Sequence, residues 1–82
     1  MQPLTMYTTT WCPDCWRVKS FLKERGIPYR EVNIEGDPSA EAIVVRANNG
    51  KRSVPTLEKD GRYFSCSPFN ALRLANELDL SL

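Results

Sequence analysis

Apolar and polar positions along this chain recur with two periods, one proper to helices and one to strands. After Pro13, Val18, Phe21 and Leu22 stand at i, i+3 and i+4, which predicts a helix with one apolar stripe. Proline suits its first position, where the missing N–H costs nothing, and Gly26 supplies a stop. Asp37 as N-cap with Pro38 behind it opens a second helix, whose Ala40, Ile43, Val44 and Ala47 form the next stripe and which closes at "NNG". A third helix carries Ala71, Leu74, Ala75 and Leu78, with Ser67 as its expected N-cap and Pro68 in its first turn.

The strands follow the other period. From Tyr29 to Ile34, Val32 and Ile34 share one face while Glu31 and Asn33 share the other. Leu4 to Thr9, emerging after Pro3, is rich in Thr, Tyr, Leu and Met with no breaker inside, and reads as a short strand. The stretch "SVPTLEKDGRYF" holds two more, joined by Asp60-Gly61, a pair that readily adopts the positive φ angles of a tight hairpin. The order is strand, helix, strand, helix, strand, strand, helix. Strands separated by a helix run parallel through a right-handed crossover and the hairpin adds antiparallel partners, so the expectation is an α/β fold: a four-stranded mixed sheet with three helices on its faces. Eighty-two residues have interior enough for one core, and residues 1–82 are read as one domain, a monomer by default.

Composition narrows the function classes. Lys and Arg total 11 against Asp and Glu at 10, a net charge of +1, so no long-range field gathers nucleic acid or an anionic membrane. No apolar segment approaches the roughly 20 residues needed to span a bilayer, and "MQPLTMYTTT" lacks a basic region followed by an apolar run. Three cysteines are too few, and odd, for a disulfide-stapled secreted domain. A reducing, cytoplasmic setting fits better.

Two of those cysteines, in "WCPDCW", carry the chemistry. Cys12 and Cys15 could be buried structural residues, half of a zinc site, ligands of an iron–sulfur cluster, or a dithiol redox couple. Zinc is hard to close within one chain, because there is no histidine and only Cys66 remains as a further thiol. Two cysteines at this spacing, at a helix start within a βαβ pattern, favour the redox couple. At a helix N-terminus the unpaired N–H groups and the positive end of the macrodipole lower a thiol pKa from about 8.5 toward neutrality, which makes Cys12 the nucleophile. Cys15, one turn in, is close enough to attack a mixed disulfide at Cys12 and is the resolving thiol. Asp14 is either an ordinary first-turn acid or a group that tunes the neighbouring sulfur.

"MYTTTWCPDC", then "SVPT", then a hairpin and a terminal helix make the whole chain resemble a glutaredoxin-type member of the thioredoxin superfamily. "YTTTWC", "EVNIEGDPSA" and "NGKRSVPT" are similar to its mycoredoxin-like branch. The resemblance implies a thioredoxin-like fold and a disulfide reductase with no bound cofactor. It also implies a cis Val54-Pro55 bond, where sequence alone would favour trans. Val54 would then offer its backbone N–H and C=O to an extended substrate. Departures matter too. Thr9 or Thr10 stands where many glutaredoxins carry a lysine, and "FSCSPF" replaces the glycines and aspartates that hold glutathione, although Ser67 and the backbone after it could take a carboxylate.

The remaining candidates flank the pair. Trp11 could shield the sulfur or pack on a substrate, Pro13 opens the helix between the thiols, and Arg52 stands nearest the proline turn; the resemblance implies that Cys66 faces the same groove as an accessory thiol, whereas the common burial of cysteine favours a small apolar residue filling space under the turn. Trp16, Arg46 and Lys51 read more simply as partial core or solvated charge. The expected activity is reduction of protein disulfides, or of mixed disulfides with a small thiol. Electrons would come from glutathione, mycothiol or a flavoprotein thioredoxin reductase. The rival is an iron–sulfur carrier or sensor using Cys12 across a dimer.

Overall fold

A computed structural model describes residues 4–78; Pro3, expected just before the first strand, lies outside the described residues. The elements are β1 (Leu4–Thr8), α1 (Pro13–Glu24), β2 (Tyr29–Asn33), α2 (Pro38–Ala47), β3 (Thr56–Lys59), β4 (Arg62–Ser65) and α3 (Ala71–Glu77). The sheet order is β2-β1-β3-β4, with β1 parallel to β2 and antiparallel to β3, and β3 antiparallel to β4. This is the expected mixed sheet.

β1 lies in the interior of the sheet and all five of its residues are buried, because helices cover both faces. On one face Leu4, Met6, Leu57 and Phe64 pack with Val18, Phe21 and Leu22 of α1 and Leu74 and Ala75 of α3. On the other, Tyr7 and Ile34 pack with Ala40 and Val44 of α2, joined by the half-buried Val32 and Val54. Met6 is directly opposite Leu57, and Leu57 opposite Phe64, so one apolar row crosses three strands.

Local chemistry ends the elements where the sequence indicates. Gly26, at φ 65°, follows α1; its N–H reaches the Lys23 carbonyl at 3.1 Å and the next N–H, of Ile27, reaches Leu22 at 2.9 Å. That is a Schellman closure, which glycine makes without a Cβ clash. Asp37 caps α2 by accepting from the Ala40 N–H at 3.1 Å. Asp60 and Gly61 sit at φ 52° and 80°, the mirror-image turn that suits the strand twist.

The last helix corrects one expectation. Its N-cap is Asn70, whose side-chain oxygen accepts the Arg73 N–H at 2.9 Å. Ser67 spends its hydroxyl elsewhere and Pro68 precedes the helix, so α3 opens later than those two residues suggested. No described helix is long and apolar enough to cross a membrane.

Candidate active site

Strand register brings three segments to one end of the sheet. Tyr7 near the end of β1 pairs with Thr56 at the start of β3, and Thr56 pairs with Ser65 at the end of β4. The residues that follow β1, precede β3 and follow β4 therefore leave side by side: Thr9 to Cys12, Ser53 to Pro55, and Cys66 to Asn70. Cross-links tie them down. The Ser53 and Ser65 hydroxyls are 3.1 Å apart, the Cys66 N–H donates to the Pro55 carbonyl at 3.0 Å, and the Thr10 N–H donates to Glu35 at 2.6 Å. Hydrogen bonds from Thr10 hold the Glu35 carboxyl below its ordinary range.

Cys12 is the N-cap of α1, on extended backbone at φ −152° and ψ 94°. Its Sγ accepts the Cys15 N–H at 3.0 Å, and its carbonyl takes the Trp16 N–H at 3.1 Å. The sulfur thus occupies the place of a capping oxygen, among N–H groups that have no partner within the helix. Cys12 and Cys15 are joined as a disulfide with Cα atoms 5.1 Å apart. Cys12 is half-buried, whereas Cys15 is 2% exposed. Pro13, at the first helical position, is exposed.

The Val54-Pro55 bond is cis. Pro55 is fully buried and Val54 half-buried; among the described residues, nothing hydrogen-bonds the N–H or C=O of Val54. Two residues that the sequence did not single out hold this turn. Thr56, fully buried, donates its hydroxyl to the Ser53 carbonyl at 2.7 Å. Asn48, at the end of α2, donates to Thr56 Oγ1 at 2.9 Å and to the Val44 carbonyl at 2.8 Å. The asparagine belongs to "NNG", which its helix-ending role explains by itself, so no separate signal marked it.

The third segment holds a second cis bond, Ser67-Pro68, and meets α1 through Asp14. Asp14 accepts from the Phe69 N–H at 3.2 Å, the Ser67 hydroxyl at 3.4 Å and Arg17 at 3.2 Å. It is more than a first-turn acid. Of its two readings Cys66 takes the space-filling one: it does not face the groove but is 2% exposed in the larger core, and burial pushes its thiol up to about 11. Arg52, exposed, pairs with Glu41 at 2.7 Å.

Both tryptophans lie outside the core. Trp11 is 90% and Trp16 68% exposed. Trp16 borders an open groove of about 580 Å³ between α1 and the start of α3, with Phe21 and Phe69 in its wall and Arg17 and Arg25 along it. Arg25 lies over the Phe21 ring at 4.3 Å, and the Phe21 and Phe69 rings meet edge to face at 6.4 Å.

Residues 4–64 match the family model for glutaredoxin, a span that holds the cysteine pair and the cis-proline turn. The chain belongs to the glutaredoxin family. It is 34% identical to a glutaredoxin of Pseudomonas aeruginosa over 83 residues, covering 100% of this chain and 98% of that protein. It is 28% identical to glutaredoxin 3 of Escherichia coli over 80 residues, covering 96% and 95%. Among solved structures, the glutaredoxin-like NrdH-redoxin of Escherichia coli superposes with a TM-score of 0.74 at 26% identity, covering 99% of this chain and 100% of that one. Glutaredoxins are thiol–disulfide oxidoreductases that act on disulfides or mixed disulfides with glutathione-type thiols, and this member, with its bonded Cys12–Cys15 pair, is a thiol–disulfide oxidoreductase.

Proposed function

We propose that this family member is a dithiol reductase of protein disulfides and of protein mixed disulfides with a small thiol. Cys12 supplies the attacking thiolate. Its sulfur bonds to one sulfur of the substrate, the substrate S–S bond breaks, and the other sulfur leaves as a thiolate and takes a proton. Cys15 then attacks Cys12, releases the second thiol and closes the Cys12–Cys15 disulfide, so that two electrons have passed to the substrate. The observation that carries this reading is the Cys15 N–H donated to Cys12 Sγ at 3.0 Å, because a donor aimed at the sulfur favours its charged form. The enclosure of Cys15 supports its role as the resolving thiol, shielded from solvent oxidants.

Val54 supports recognition of an extended substrate through its unengaged N–H and C=O, in the manner of an added strand. We assign Trp11, Pro13 and Ser67 to the same contact surface, and their exposure supports that assignment. Arg52 contributes charge at the rim. The oxidised protein accepts electrons from glutathione, mycothiol or a flavoprotein thioredoxin reductase. The flavoprotein route draws support from the NrdH-redoxin likeness, since that protein is described as having a thioredoxin-like activity profile. We place the chain in the cytoplasm as a monomer; a reducing compartment suits a thiol couple of this kind.

The test starts from reduced protein and a peptide mixed disulfide. Cys12→Ser abolishes turnover, and Cys15→Ser accumulates a covalent adduct of protein and one substrate half, visible by intact mass; full turnover by Cys12→Ser overturns the mechanism. Glutathione, mycothiol and thioredoxin reductase, offered separately to the oxidised protein, identify the donor by which one regenerates free thiols.

A further inference from the structure

Asp14 stands two residues from Cys12, yet its carboxylate is turned toward another part of the chain. It binds Ser67 and Phe69, partners 53 and 55 residues away in sequence, and its only described cation is Arg17. The Asp14 side chain is 24% exposed and that of Arg17 55%, so the neutralising guanidinium stands mostly in solvent, where its field is screened. The hydroxyl and N–H of the Ser67–Phe69 turn are the donors that an incoming anion would use, and a resident anion already holds them.

We propose that Asp14 sets the charge selectivity of this site: its carboxylate, docked on the Ser67–Phe69 turn beside the Cys12–Cys15 pair, disfavours mixed disulfides whose small-thiol half carries a carboxylate and favours those whose small-thiol half is neutral or cationic. This rests on the reductase reading above. The Ser67–Phe69 turn lies beside the Ser53–Pro55 segment and is tied to α1 through Asp14, so a small-thiol half bonded to Cys12 and reaching for that turn comes up against the carboxylate. An anionic half then meets a fixed negative charge and finds the turn's donors taken. One like charge a few Å away in a partly solvated site changes an association or rate constant by about tenfold.

The reaction itself is the exchange already written, and the charge of the small thiol does not alter its balance. The experiment is a single turnover with pre-reduced protein and no added donor. One labelled peptide cysteine is disulfide-bonded to 2-mercaptoethanol, to 3-mercaptopropionate or to cysteamine. Each second-order rate is normalised to that of the same substrate with free dithiothreitol, which removes leaving-group differences. The wild-type protein reacts about tenfold faster with the neutral than with the carboxylate-bearing substrate at low ionic strength, fastest with the amine, and high salt compresses the range.

Asp14→Asn, close in shape and uncharged, brings the neutral-to-anionic ratio near one, whereas Asp14→Glu and Ser67→Ala, which keep the charge, preserve the ranking. A merely structural role would slow all three substrates together and leave the ratio unchanged. A wild-type ratio near one, or the wild-type ratio persisting in Asp14→Asn, overturns the inference while leaving the reductase intact. Reduced wild-type protein that reacts with none of the three overturns both. Should Asp14→Asn not fold, the salt series on wild-type protein decides: a ratio indifferent to ionic strength overturns the proposal.

Discussion

Cys12 and Cys66 are the same residue type under opposite physics. Cys12 caps a helix and accepts an N–H, while Cys66 is sealed in the core, where burial disfavours its thiolate. The Cys66 thiol rises from 9.0 to about 11 on folding, so above 9.0 the unfolded chain releases a proton that the folded chain keeps. The contribution to stability is therefore complete below 9.0 and is lost as pH rises toward about 11, at most roughly 3 kcal/mol. Urea midpoints measured through that range fall less steeply for Cys66→Ala than for the parent. A slope remains at higher pH from Tyr7, whose phenol burial likewise pushes up from 10.0. In the reduced native protein, alkylation followed by peptide mapping labels Cys12 quickly and Cys66 only after unfolding. The pair's role was legible in "WCPDCW", because three residues of helix bring the two sulfurs together wherever that helix lies. The enclosure of Cys66 was legible only as a tendency of cysteine to be buried, since a lone cysteine beside a turn carries no local pattern that fixes whether it points in or out.

At the scale of elements, each cap the sequence displayed was used unless a stronger partner competed. Asp37, Gly26 and Asp60-Gly61 act where a local pattern places them, because their bonds close within a few residues. Ser67 failed as a cap because Asp14, distant in sequence, takes its hydroxyl, leaving Asn70 to start α3. Asn48 shows the reverse: a helix-ending residue whose amide also fastens the turn that carries Val54 and Pro55. Asn48→Ala removes both side-chain bonds and leaves the buried Thr56 hydroxyl short of a donor, while the Val44 carbonyl keeps the backbone N–H of residue 48, at a cost of about 1–3 kcal/mol in stability. The substrate edge loosens with it. Turnover of a peptide disulfide drops several-fold through a higher KM, while alkylation of Cys12 by iodoacetamide keeps its rate; equal losses in both assays would place the effect on the thiol instead.

At the scale of the molecule, two apolar faces meet on one sheet, and Leu57 lies at the middle of the row that joins Met6 to Phe64. Fully buried, it has no route for the site to relax, so Leu57→Ala lowers unfolding free energy by about 2–5 kcal/mol in denaturant titrations. Burial acts to raise the Glu31 pKa, but hydrogen bonds from Lys19 at 3.0 Å and Thr8 at 2.9 Å outweigh it and hold the carboxyl below 4.5. A depressed folded pKa stabilises at neutral pH and is lost as acid carries the protein through it. Glu31→Gln accordingly flattens the decline of the thermal midpoint below pH 4.5. By itself the sequence determined the order and type of the elements, the caps that close locally and the thiol pair, because each depends on spacing along a few residues and so survives any tertiary arrangement. Only the tertiary structure decided that Cys66 turns inward, that Asn48 braces the proline turn and that Asp14 docks on Ser67 and Phe69. Those contacts join residues far apart in the chain, and they exist only once strand register has brought three segments to one end of the sheet.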